Sequence, residues 1–218
     1  MTTFPNSPRL LKGGIVLIDP DTSAVRRIVV LQYNPDTLSR TLQPQTVKES
    51  GDRSEAMRLT GPPVETIKLD AEIDATDQLE FPDQNSATVE FGIQPQLAAL
   101  ETIVYPASSQ LISNNSLAQA GMLEIFPMMA ALPLFIWSKS RIVPVRITEF
   151  SITEEAFDPA LNPIRAKVSL GMRVLSVSDL GFDNKGGSLF LAYQQQKEQL
   201  AGKSLGGALS LLGIRGIP

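Results

Sequence analysis

A chain of 218 residues is long enough to bury one substantial core without covalent staples. It contains neither cysteine nor histidine. That removes disulfides, thiolate and imidazole metal ligands, and the Ser-His-Asp and Cys-His nucleophilic systems. Nineteen Lys and Arg against 23 Asp and Glu leave a net charge of -4, which argues against a dedicated nucleic-acid binder. At 19% the charged fraction lies below the ~25% of an average soluble domain, leaving surface for protein partners. No enzymatic activity is expected, and no catalytic, cofactor-binding or metal-binding residue is assigned.

Met1–Pro8 lacks a basic segment followed by a long apolar run, so synthesis in the cytoplasm is expected. Gly14–Ile18 and Val25–Leu31 are β-branched runs flanking the turn-rich Asp19–Ser23, the pattern of an opening hairpin. Gln43–Leu59 is polar and aperiodic and reads as a long excursion, after which Gly61-Pro62-Pro63 resets the chain. From Val64 the sequence alternates. Ile67, Leu69, Ala71 and Ile73 face one way, and Lys68, Asp70, Glu72 and Asp74 the other, predicting a half-buried strand with an acidic outer face.

Pro95 at a first turn, followed by Leu97, Leu100 and Val104 and stopped by Pro106, predicts one short internal helix. Leu117–Trp137 is long enough to span a membrane but carries Glu124, Pro127 and Pro133; it reads as a buried connection, and no membrane span is expected. Arg141–Ile147 reads as a strand whose apolar parity shifts to Phe150 and Ile152, which predicts a bulge near Thr148. After the loop Phe157–Pro163, Ile164–Val174 alternates most cleanly, with Arg165, Lys167, Ser169 and Arg173 outward; the two strands should form a long hairpin. Gly181–Gly187 reads as a linker, and Ser188 as the cap of a helix to about Ala201, followed by a glycine-interrupted apolar tail.

Residues 65–90 hold eight carboxylates and one lysine, whereas the chain from Arg165 onward nets +4. Such asymmetry suits surfaces that meet each other within one chain or between copies. Asp70, Glu72 and Asp74 on one face read as a solvated or ion-paired surface, because no glycine turn or bidentate loop glutamate accompanies them as a calcium site needs. Gly202-Lys203-Ser204 imitates the end of a phosphate loop but follows a helix, with Lys197 where the first glycine belongs. Trp137, the single tryptophan, is expected in a core or at an interface.

Three segments together resemble the tube-protein family of contractile injection systems. Leu31-Gln32-Tyr33-Asn34-Pro35-Asp36-Thr37-Leu38 resembles its aromatic-Asn-Pro motif after the first hairpin, and Gly61-Pro62-Pro63-Val64-Glu65-Thr66-Ile67 its Gly-Pro-Pro strand start. The longest match runs through Pro133–Trp137, Pro144–Ile147, Phe157-Asp158-Pro159 and Asn162–Val168. The resemblance covers about residues 10 to 178.

It implies a mainly β fold, a sandwich or barrel of the phage tail-tube type with one short internal helix and a C-terminal helix or arm. Residues 1–180 would form the tube-like β domain, and 181–218 a linker, helix and apolar tail acting as an arm. The implied role is a baseplate adaptor or tube initiator without a LysM module: a six-fold ring joining a trimeric spike protein to the hexameric inner tube or a second tube initiator. Other baseplate components would be its neighbours, and the finished protein would reside in a phage-tail-like particle. Expected interface residues are Tyr33, Asn34, Pro35, Asp70, Glu72, Asp74, Trp137, Arg165, Lys167, Arg173, Tyr193 and Leu211. The alternatives are a cap-end adaptor of a similar particle, and a small-molecule or carbohydrate-binding β domain using Trp137 and Tyr33.

Overall fold

The computed structural model describes residues 10–46, 58–121, 130–204, 206–207 and 209–217. Strand β1 (Gly14–Ile18) and β2 (Val25–Val30) form the opening hairpin. Its turn is closed by Asp19, whose carboxylate accepts from the Asp21 and Thr22 amides at 3.1 and 2.9 Å. β3 (Leu38–Thr46) and β4 (Leu59–Asp74) follow, then β5 (Leu132–Ser138), β6 (Arg141–Phe157) and β7 (Pro163–Val174). They make one seven-stranded sheet in the order β2-β1-β5-β6-β7-β4-β3, with every neighbouring pair antiparallel. The mainly β expectation holds.

The expected break at Gly61-Pro62-Pro63 does not occur, because these residues lie inside β4. They are tolerated where β4 pairs only with the edge strand β3, in register shifts between Gln43 and Thr46, while pairing with β7 begins at Thr66. Proline is accommodated at such edges and bulges because its missing N–H leaves no central ladder bond unmade. The polar excursion is correspondingly shorter than expected, since β3 continues to Thr46.

The long hairpin of β6 and β7 carries the bulge expected at Thr148, as a register shift between Ile147 and Glu149. Asp158 closes its turn: the carboxylate accepts from the Ala160 and Asn162 amides at 2.8 Å each and from Asn162 Nδ2 at 2.9 Å. These hydrogen bonds hold the carboxyl below its usual range.

The core follows from strand parity. Ile67, Leu69, Ala71 and Ile73 of β4 and Ala166, Val168, Leu170 and Met172 of β7 are buried together with Ile15 and Leu17 of β1, Phe135 of β5 and Val143 and Val145 of β6. Both halves of the sheet therefore contribute to one core. Each fully buried aliphatic side chain of this kind contributes about 1.5–3 kcal/mol relative to exposure.

Where one internal helix is expected, the described residues between β4 and β5 form four α-helices: α1 (Thr76–Leu79), α2 (Ser86–Phe91), α3 (Gln94–Glu101) and α4 (Ser108–Gln119). α3 carries the expected start, with Pro95 in its first turn and Leu97 and Leu100 buried, but it ends at Glu101, short of Pro106, and leaves Val104 outside the helix and exposed. α4 buries no residue, so it has no apolar stripe for a periodicity to reveal. Of the apolar stretch Leu117–Trp137, residues 122–129 lie outside the described residues, and Leu132–Trp137 belong to β5.

Residues 181–184 of the expected linker are irregular, as anticipated, whereas Lys185–Gly187 already belong to a helix, and a further short helix precedes the linker. Ser176 and Asp179 form a reciprocal cap on α5 (Val177–Leu180), and Asn184 caps α6 (Lys185–Ala201), which starts before the expected Ser188. Phe190 and Tyr193 of α6 enter the main core, while Leu189 and Leu180 cover a smaller cluster of Ile18, Leu132 and Leu134.

Candidate functional site

The acidic and basic strand faces meet within the chain. β4 and β7 are adjacent, in a register that sets Asp74 opposite Arg165, Glu72 opposite Lys167, and Asp70 opposite Ser169. Arg165 Nε donates to Asp74 Oδ2 at 2.7 Å, and Ser169 Oγ donates to Asp70. Partial burial raises the Asp74 carboxyl, but hydrogen bonds from Thr76 and the Arg165 charge outweigh it and leave it below the usual value. Arg173 reaches elsewhere, to Asp179 at 2.9 Å. Lys68 bridges to Glu149 of β6 at 2.6 Å. Four strands, β3, β4, β7 and β6, thus present one polar face of paired charges and hydroxyls.

The Tyr33-Asn34-Pro35 segment divides by role. Asn34 Oδ1 accepts from the Gly13 amide at 2.9 Å and its Nδ2 donates to the Leu11 carbonyl at 2.8 Å, stapling the exit of β2 to the segment that leads into β1. Gln32, not singled out from sequence, grips the end of β4: it donates to the Asp74 carbonyl at 2.6 Å and accepts from the Asp74 amide at 3.0 Å. Tyr33 is 45% exposed, and Pro35 is half-buried.

Trp137 is half-buried against the core and stacks on Phe135 with ring centroids 5.9 Å apart. Gly13 makes room for it, since a Cβ there would lie 2.7 Å from the indole. A cavity of about 470 Å³ is lined by Ile103, Val104, Leu132, Val145, Ile147 and Leu175 among others, and includes neither Trp137 nor Tyr33.

A second constellation escaped the sequence reading. Glu65 is 2% exposed. Arg40 Nε of β3 and the Tyr193 hydroxyl donate to its Oε1 at 2.8 and 3.0 Å, and Lys197 Nζ donates to its Oε2 at 2.9 Å. Lys197 also lies 3.9 Å from the Tyr193 ring centroid, a cation–π contact. Burial by itself raises the Glu65 carboxyl, but Lys197 and Arg40 outweigh it and hold it below its ordinary value. Burial, with the Glu65 charge, pushes the Tyr193 phenol up to about 12. The signal was parity, because Glu65 falls on the same side of β4 as Ile67 and Leu69. Tyr193, expected at an interface, is 4% exposed and belongs to this buried cluster.

Leu211, in contrast, is 80% exposed in the tail. Gly202 caps the end of α6, so the Gly202-Lys203-Ser204 segment follows a helix as its sequence context indicates. Among the described residues no three potential metal ligands cluster, and no helix is long and apolar enough to cross a membrane.

No family model and no curated protein matches the chain. Among solved structures, it is similar to a chain in the tail of an empty gene transfer agent particle computed with C6 symmetry, at 12% identity and a TM-score of 0.29, covering 75% of this chain and 90% of that one. A chain in the virion of a native gene transfer agent particle is similar at 10% identity and a TM-score of 0.27, covering 74% and 90%. At these scores the likenesses carry no argument about fold or function.

Proposed function

We propose that the chain is a structural component of a phage-tail-like contractile injection particle, a ring-forming adaptor that joins a trimeric spike to a hexameric inner tube. The observation that carries this reading is the ordered set of tube-family motifs, each of which occupies a framework position in the fold. Asn34 staples the first hairpin, Gly61–Pro63 lie in the part of β4 that pairs only with the edge strand β3, and Asp158 closes the β6–β7 turn. Two features of the fold suit a ring. Among the described residues the sheet has two unpaired edges, β2 and β3, which neighbouring copies would cover. Its polar four-strand face needs no further apolar cover and would line a water-filled lumen. The role is mechanical and asks no chemistry of any side chain.

The test is the mass of the purified protein in solution, alone and co-expressed with candidate spike and tube proteins. A ring or a defined co-complex is the expected result. A strict monomer that ignores both neighbours overturns the adaptor reading.

A further inference from the structure

One end of the molecule is acidic and apolar. From Leu69 through Ser138 the chain contains no lysine or arginine. Within that stretch Asp77, Glu80, Asp83 and Glu90 are all exposed on the helical insert. The insert is fastened to the tip of the β6–β7 hairpin, where Asn162 Nδ2 donates to the Glu90 carbonyl at 3.1 Å and the Ile93 amide donates to the Pro163 carbonyl at 2.8 Å. At this same end Phe91, Phe157 and Leu161 stay 44%, 49% and 76% exposed.

The C-terminal tail has the complementary chemistry. After Glu198 there is no acidic side chain, while Lys203 and Arg215 are cationic. Leu211, Leu212 and Ile217 are 80%, 74% and 81% exposed. The helix that leads into the tail is also anchored away from the acidic end. Lys197, in the C-terminal third of α6, is bonded to Glu65, whereas the acidic end lies beyond Asp74, about 30 Å further along β4 at ~3.3 Å per residue.

We infer that the tail of one copy docks, through its leucines and its two cations, on the acidic apolar end of a second copy. Every described tail residue is exposed in the single chain, so its apolar side chains are left for a second copy to cover. Burial of the leucines supplies the attraction and the carboxylate rim selects a cationic segment. The contact is head-to-tail, so it closes a ring or propagates, and it operates without spike or tube protein. It therefore stands apart from the adaptor reading.

Full-length protein tests it in two ways. In sedimentation velocity across a concentration series, L211D/L212D and, separately, Glu90→Lys raise the concentration of half-association about tenfold or more. Combining Glu90→Lys with Lys203→Glu and Arg215→Glu recovers a substantial part of that loss. In fluorescence anisotropy, a labelled synthetic peptide of residues 203–218 binds the full-length L211D/L212D protein, and adding Leu161→Asp weakens it about tenfold. Circular dichroism verifies each fold, and the exposed Glu90→Lys variant carries the receptor test if Leu161→Asp misfolds. Wild-type protein that stays monomeric, L211D/L212D that associates as wild type does, or peptide binding indifferent to Glu90→Lys and Leu161→Asp overturns the inference. Failure here with an intact spike or tube complex leaves the adaptor reading standing, and the reverse also holds.

Discussion

The hydroxyl of Tyr193 donates to the Glu65 carboxylate at 3.0 Å, joining α6 to β4 across 128 positions of sequence. With Arg40 on the edge strand β3 and Lys197 on α6, the same carboxylate holds three elements together. Removing the charge leaves two cations facing a neutral group they were placed to balance. Because Lys197 and Arg40 are partly exposed and water can recover some of their solvation, Glu65→Gln should cost about 2–3 kcal/mol, short of the full penalty for breaking a buried pair. Tyr193→Phe should cost about 1 kcal/mol, the worth of one hydrogen bond. Urea denaturation of both variants measures these values, and truncation before Ser188, which removes the Tyr193 and Lys197 partners, should be more damaging than truncation after Ser204.

The same cluster predicts a pH signature. The Glu65 carboxyl is depressed in the folded chain, so its stabilisation is present above the unfolded carboxyl pKa and is lost as pH falls through the folded value. In Glu65→Gln the part of acid sensitivity owed to this group disappears. Tyr193 is raised to about 12 from 10.0, so its contribution is present below pH 10 and is lost as pH rises toward 12. Absorbance titration of the phenolate should show a step near pH 12 in wild type that Tyr193→Phe removes.

Alternation made β4 and β7 legible, and the Thr148 bulge followed from a parity change alone, because a residue that flips side in a half-buried strand flips between water and core. What stayed hidden lacked such contrast. α4 buries nothing, and α1 and α2 are too short to show a period. Gly61-Pro62-Pro63 carries local break signals that the edge position overrides. Glu65 was readable as a carboxylate on an apolar face, but its partners lie on β3 and α6, and only the tertiary fold brings them together. The Asp74–Arg165 pairing followed from charge on two strands once β4 and β7 became neighbours.

Gly92 should tolerate no side chain. Its φ is +58°, and a Cβ there would lie 2.1 Å from the Pro163 carbonyl oxygen, the atom that accepts from the Ile93 amide. Gly92→Ala combines left-handed backbone strain with a backbone clash, and should destabilise by roughly 3 kcal/mol or more. Loss of the thermal transition near the wild-type temperature, read by calorimetry, is the expected result.

The aromatic-Asn-Pro motif should separate framework from interface. Asn34→Ala removes two hydrogen bonds that hold Gly13 and Leu11, and should lower stability by about 1–2 kcal/mol. Tyr33, 45% exposed with its side chain outside the core cluster, should be replaceable by Ala within about 0.5 kcal/mol of wild-type stability. If Tyr33 serves an interface, Tyr33→Ala weakens co-assembly with spike or tube at unchanged stability. Denaturation and co-purification of the same two variants give both readings.

Edge strand β2 carries the last prediction. Val25, Ile28 and Val30 are 60%, 62% and 56% exposed on a strand with one side unpaired among the described residues, an arrangement that favours pairing with another chain. A lysine at Ile28 places a charge on that strand without entering the core, so monomer stability should change by no more than about 0.5 kcal/mol. If β2 lies at the junction between copies, desolvating the new ammonium there opposes ring closure, and Ile28→Lys should shift the solution mass from ring toward monomer. A ring of undiminished mass, formed by a folded Ile28→Lys protein, would remove β2 from the junction and leave β3 as the edge to examine.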